Sequence, residues 1–349
     1  MRKLLILIIL LAACIPAASR SVNDSRASKA RIILDTDIGN DIDDMECLAL
    51  LHHYLDEKRI KLLGICLNKE GAATADFVDL MDTFYGHTGF PMGIARDAGY
   101  SGPAAEKRYT GQVCAMTGQD GSPLFKREGV DYDKLPDAHI LYRKLLASQP
   151  DHSVTIISVG FLTNLARLLD TPGDEYSPLT GRELIAKKVK LLSIMAGRFF
   201  DSEPEYNVKI NIPSSKKVFS EWPTELVSLT WELGHAVHFH AESVEKDFEW
   251  AGAHPFKESY IRYHRMPYNN DMFDPTAVVY AVEGGKFFTS SGPGTIHVDD
   301  KGTTTFEPSA DGRHSYMSVT DEQIKVLERY FADYLTRKPA CFDKKRRRK

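Results

Sequence analysis

The chain has 349 residues, 43% hydrophobic and 26% charged, a composition ordinary for a globular protein and rich enough in apolar residues for a large core. Its formal net charge of −4 leaves no global basic field, which excludes a nucleic-acid binder that works by bulk charge. The length fits two small domains or one large α/β sheet.

In chain order, Arg2 and Lys3 precede an unbroken apolar run, Leu4 to Leu11. The run is too short to span a bilayer as a helix. With its basic start and following small residues it has the pattern of an export signal. Leu11-Ala12-Ala13-Cys14 resembles the box of bacterial lipoproteins, in which the cysteine is lipidated and becomes the new N-terminus; cleavage near Ala17-Ala18 is the alternative. Residues 1–14 are therefore expected to be a signal peptide with a lipobox, and 15–29 a polar tether. The expected location is the periplasm or cell surface of a bacterium, with membrane contact only through a lipid anchor.

Arg31 to Leu34 reads as a buried strand that ends in a cluster of acids. Met45 to Leu55 carries apolar residues at helical spacing, Lys61 to Leu67 is a second strand, and Ala73 to Tyr85 a second helix. Residues 89–134 are rich in Gly, Pro and polar side chains, and a segment so long without periodicity is functional or mobile. A helix follows over Asp137 to Ser148, a strand over Val154 to Val159 and a helix over Thr163 to Leu169. Val189 to Met195 and Leu226 to Thr230 read as strands, and Thr276 to Val282 as a helix. Hairpin-like sequence runs from Lys286 to Phe306, and Asp321 to Leu335 is a closing helix. This alternation predicts an α/β fold: one domain over 30–338, with a mostly parallel open sheet and helices on both faces. Residues 339–349 are expected to be a basic tail, disordered from Lys344 to Lys349. Of the five cysteines, Cys14 is the lipid candidate, Cys47 and Cys66 lie in core-like runs, and Cys114 and Cys341 in loop-like sequence. Their spacing suggests no zinc site and names no disulfide.

Ligands of such sheets sit beyond the carboxyl ends of the strands, so the residues just after each strand are the ones to read. After the first strand, Asp35-Thr36-Asp37-Ile38-Gly39-Asn40-Asp41-Ile42-Asp43-Asp44 holds five aspartates in ten residues. So many carboxylates repel one another unless a cation neutralises them, and oxygen donors suit Ca²⁺ or Mg²⁺. A helix N-terminus explains one or two of the acids. A calcium loop of the EF-hand kind lacks its closing Glu and its leading helix. A phosphatase with Asp35 as nucleophile and Asp37 as acid needs only two of them. Asn68, after the second strand, is a turn residue or a ligand to a sugar hydroxyl. Asp274 before Pro275 is a helix cap, a metal ligand, or both.

Asp35-Thr36-Asp37, Gly39 and Asp43-Asp44 resemble the signature of the inosine–uridine preferring nucleoside hydrolases, with two extra residues between the glycine and the paired acids. Ile156 to Asn164 resembles that family's strand-to-helix turn, Glu205-Tyr206-Asn207 its Glu-aromatic-Asn motif, and Asp274-Pro275-Thr276-Ala277 its late Asp-Pro motif. The resemblance covers Arg31 to Leu335 and implies a Rossmann-like nucleoside hydrolase fold. It implies Ca²⁺ held by Asp37, Asp44, the carbonyl of Val159 and Asp274, with Asp43 as general base and Asp41 as its rival. Asn68, Glu205 and Asn207 are then expected on the ribose hydroxyls. The implied substrate is a small-molecule nucleoside, cleaved to ribose and base through an oxocarbenium-like transition state, and the implied assembly a homodimer or homotetramer. One departure stands out. Many relatives carry a histidine before the late aspartate, and it protonates the departing base. Here the residue is Phe273, able to stack on a base but not to donate a proton, and His264 and Asp271 are the nearest acids in sequence. The competing functions are a metal-dependent phosphohydrolase and a non-catalytic surface protein that binds calcium or a sugar.

Overall fold

Alternate residues of the first strand divide between the two faces of a sheet. In a computed structural model that describes residues 29–98 and 105–346, Ile32 and Leu34 pack in one apolar cluster and Ile33 in another. The first cluster draws on the helices Asp43–Asp56, Ala72–Tyr85, Phe273–Glu283 and Asp321–Leu335. The second draws on Ala138–Ala147, Thr163–Leu169, Gly181–Lys188 and Ile212–Glu221. A strand covered on both faces must be apolar throughout, which is why these strands read as runs rather than alternations.

The described strands are β1 (Ala30–Thr36), β2 (Ile60–Leu67), β3 (Met92–Ile94), β4 (Val154–Ser158), β5 (Val189–Met195), β6 (Glu225–Leu229), β7 (His238–Phe239), β8 (Asn270–Asp271), β9 (Thr289–Ser290), β10 (Gly294–Val298), β11 (Thr304–Pro308) and β12 (His314–Ser318). The main sheet runs β11-β10-β12-β6-β5-β4-β1-β2-β3, with β9 on β12. From β3 to β12 the neighbours are parallel, and β9, β10 and β11 join antiparallel at the far side. The expected mostly parallel sheet with helices on both faces is the one found. β7 and β8 form a separate antiparallel ribbon that pairs His238 with Asp271.

Several elements differ from the sequence reading. The hairpin lies later, as β10 and β11. The short, half-exposed β12 has too few apolar residues to read as a strand, yet it pairs parallel with β6. The helices Gly181–Lys188, Ile212–Glu221, Trp231–Ala236 and Pro255–Tyr263 were not expected. Where a tail was expected after Lys338, Ala340–Arg346 forms a helix. Its first amide, on Ala340, donates to Asp56 at 2.8 Å, and Phe342 lies against Phe84 and Trp250. Cys47 and Cys66 are buried and in no disulfide, as core residues should be; Cys114 and Cys341 both lie in helices. The signal, the lipid candidate Cys14 and nearly all of the tether lie outside the described residues. Among those described, no helix is long and apolar enough to cross a membrane.

Candidate active site

Asp35 closes β1 and anchors the carboxyl edge of the sheet. It is fully buried and accepts from Asn68 Nδ2 at 2.5 Å, Tyr142 Oη at 2.9 Å and Asn164 Nδ2 at 3.1 Å. Burial still raises its carboxyl to about 7, against those three bonds. With both oxygens engaged, Asp35 is a strut between β1, β2 and β4, and the phosphatase reading that made it a nucleophile is lost.

The turn after β1 then delivers the remaining acids. Thr36 donates its hydroxyl to Asp44 and accepts from the amide of Ile38. Asp43 and Asp44 fall in the first turn of the helix Asp43–Asp56, where the helix dipole favours negative charge. Asp274 stands in the first turn of the helix Phe273–Glu283, and its amide donates to Asp43 Oδ2 at 3.2 Å. Two helix N-termini thus face each other across the site. One ligand oxygen from each of Asp41, Asp43, Asp44 and Asp274 falls within 4.8 Å of the others. Asp37 lies beside this group but outside its closest set, whereas Asp41, expected as a rival base, lies inside it.

These carboxylates are poorly neutralised by the protein. Burial, then repulsion from Asp41, raises Asp37 to about 8, although Lys69 and Arg108 oppose the shift. Burial and mutual repulsion push Asp43, Asp44 and Asp274 well above the usual carboxylate range. Asp37 Oδ2, Asp44 Oδ2 and Asn68 Oδ1 are buried without a hydrogen-bond partner, a state that native proteins reserve for bound ions, water or ligands. The donor set is all oxygen, as a hard divalent cation requires, and these residues fit one.

Beside the acids is a cavity of about 90 Å³ walled by Asp37, Asp41, Asp43, Val159, Met195, Glu205, Tyr206, Asn207, Trp231, Phe273 and Asp274. Glu205 caps its own short helix: its carboxylate accepts the amides of Asn207 at 2.8 Å and Val208 at 3.1 Å. Burial raises that carboxyl to about 7. The Asn207 amide donates to the carbonyls of Val159 at 3.3 Å and Met195 at 3.2 Å. The carbonyl of Val159 keeps a second lone pair for a metal. Asn68 does not line this cavity. It stands behind Asp37, across Gly160, where a Cβ would fall 2.0 Å from Asn68 Oδ1 and 2.7 Å from the Asp37 amide.

Nearby, the long segment after β3 turns out to brace the acidic turn. Arg108 donates to the carbonyl of Gly39 at 2.7 Å, and Tyr109 Oη donates to that of Asp41 at 3.0 Å while accepting from the Gly39 amide. Sequence reading missed these two, along with Trp231 and His235. Trp231 had a signal: it follows β6 directly, at the ligand edge.

The model of the inosine-uridine preferring nucleoside hydrolases matches residues 32–332. The chain belongs to this family. Nucleoside hydrolases cleave the N-glycosidic bond of nucleosides and depend on a metal, so the chain is an enzyme of that class with a metal-capable aspartate cluster at its sheet edge. No curated protein matches it in sequence. Among solved structures it is similar to a plant nucleoside hydrolase, PpNRh1, at 18% identity and TM-score 0.64, over 88% of this chain and 99% of that one. It is also similar to a purine-preferring ribonucleoside hydrolase from Gardnerella vaginalis, at 13% identity and TM-score 0.67, over 88% and 98% of the two chains. An inosine-uridine preferring nucleoside hydrolase from Bacillus anthracis matches at 16% identity and TM-score 0.60, with the same coverage. These likenesses concern the fold.

Proposed function

We propose that this nucleoside hydrolase is a calcium-dependent ribonucleosidase that releases ribose and a free base. The observation that carries the reading is the convergence of four carboxylates, buried at Asp43, Asp44 and Asp274 and half-buried at Asp41, beside a small cavity, with orphaned oxygens on Asp37 and Asp44 next to them. Asp37, Asp41, Asp44, Asp274 and the carbonyl of Val159 are the residues that would hold the ion. When bound, calcium supplies charge neutralisation and a more acidic water.

The protein's own groups do the rest. Asp43 is the base that takes the proton from the attacking water. Its anchor on the Asp274 amide keeps the carboxylate oriented. Neighbouring carboxylates stabilise the positive charge that grows on the ribose as the C1′–N bond opens. Glu205 and Asn207, in the cavity wall, bind the ribose hydroxyls, while Asn68, off the cavity, holds Asp35 behind them. The pattern of residues 1–14 leads us to propose further that the enzyme is exported and held to a membrane by lipid on Cys14.

The test is turnover of a nucleoside panel with calcium added or chelated. Inosine or uridine should be cleaved only with calcium. The 2′-deoxy analogues should be worse by ~10⁴ in kcat/KM, because a lost hydroxyl leaves buried polar groups unpaired. Equal rates on inosine and 2′-deoxyinosine, or full activity in chelator, defeat the reading.

A further inference from the structure

The cavity beside the acids is small. At about 90 Å³ it leaves little closed space, and Trp231 and Phe273 are flat members of its lining against which a base would stack. Phe273 has no proton to give. Trp231 and Phe273 sit 6.2 Å apart, centroid to centroid. His235, one turn along the helix from Trp231, stacks on it at 4.6 Å and 18°.

Opposite, Asp271 accepts from His235 Nδ1 at 2.7 Å. Two constraints fix Asp271. It pairs with His238 in the β7–β8 ribbon, and the amide of the next residue, Met272, donates to the carbonyls of Gly234 and Val237. With its Nδ1–H given to Asp271, the ring offers a ligand a proton on Nε2 only as the imidazolium, the form the Asp271 carboxylate favours. The His235 side chain is 57% exposed, so a ligand at the mouth can reach it. His264, the other acid that sequence reading offered, lies exposed against Tyr268.

We propose that His235, oriented by Asp271, is the proton donor to the departing base. The proposal rests on the nucleosidase reading. As the C1′–N bond breaks, its electron pair goes to the base and His235 Nε2–H gives its proton to a base nitrogen. Water adds at C1′ and yields its proton to Asp43. The neutral imidazole then regains a proton from solvent. The charged groups around His235 are Asp271, shared with His238 at 3.2 Å, then Glu328 behind His238 and His240. Arg198 lies over the Trp231 ring at 3.8 Å. A carboxylate-held imidazole is the ordinary device for moving a proton near neutral pH.

The test uses the full chain with added calcium and two substrates, inosine and p-nitrophenyl riboside, whose leaving group is already stable as an anion. His235→Gln keeps the size and polarity but has no acid, and Asp271→Asn removes the orienting charge. Inosine kcat should fall ~10²-fold or more in His235→Gln, while nitrophenyl cleavage and calcium affinity stay at wild-type values. Wild type should also lose inosine turnover at alkaline pH where it keeps nitrophenyl turnover. An unchanged ratio of the two rates in His235→Gln overturns the proposal alone. A wild-type protein that binds calcium yet cleaves neither substrate overturns both the proposal and the nucleosidase reading.

Discussion

Gly160 shows how little room the acidic site leaves. A methyl group there would strike Asn68 Oδ1 and the backbone of Asp37, so Gly160→Ala should push both the Asp37 carboxylate and the buried Asn68 aside. Disturbing a group that positions a ligand costs ~10–100-fold in metal affinity. Calorimetry with calcium should show that loss, and urea unfolding of the metal-free protein should show an overpacking cost of ~1–3 kcal/mol beside it. Asp44→Asn deletes a charged ligand outright and should abolish saturable calcium binding; undiminished affinity would remove Asp44 from the site. The charged members of the site were legible because local carboxylate density is a chemical signal in its own right. Arg108, Tyr109 and His235 were not legible, whereas Asn164 closed a recognisable turn motif and Asp271 stood among the candidate acids without its partner. Each of the three acts on a residue far away in the chain, and no local pattern marks a lone Arg, Tyr or His for such a contact.

Among the elements, the helix Asp43–Asp56 links the site to a cluster of neutral histidines at its other end. His52 and His53 pack around Tyr85, and His254 lies against Phe84, Phe248 and Trp250. Burial lowers His254 from 6.5 to about 3. Above 6.5 both folded and unfolded forms are neutral and its contribution is complete. Below that, the unfolded chain takes a proton that the folded one refuses, at a cost of ~1.4 kcal/mol per pH unit. His254 also accepts the Phe256 amide as a helix cap. His254→Asn keeps an acceptor and removes the titration, so the stability lost between pH ~7.5 and ~5.5 should shrink by ~1.4 kcal/mol. Urea unfolding at the two pH values measures it, and an unaltered difference would mean that the histidine is not held neutral. Helices and strands with strong periodicity were read from the sequence to within three residues, the start of the helix Phe273–Glu283 being the widest miss. β12 and the short helices between residues 181 and 263 were not, since pairing and packing, not their own apolar pattern, hold them.

On the scale of the whole molecule, the proposed lipid anchor predicts that Cys14→Ser releases the enzyme from membranes or leaves its signal uncut. Fractionation and N-terminal sequencing check this, and a wild-type protein wholly soluble with a mature end beyond Cys14 would rule it out. The contact between the Asp274 amide and Asp43 joins residues 231 positions apart. No ion site of this kind exists in an extended chain: closing so long a loop costs entropy that only the finished sheet offsets. A protein threaded through a membrane unfolded therefore travels without its ion and must load from whatever cation its destination offers. Under the proposed export, the composition of that compartment, not the cytosolic pool, decides which metal the enzyme carries.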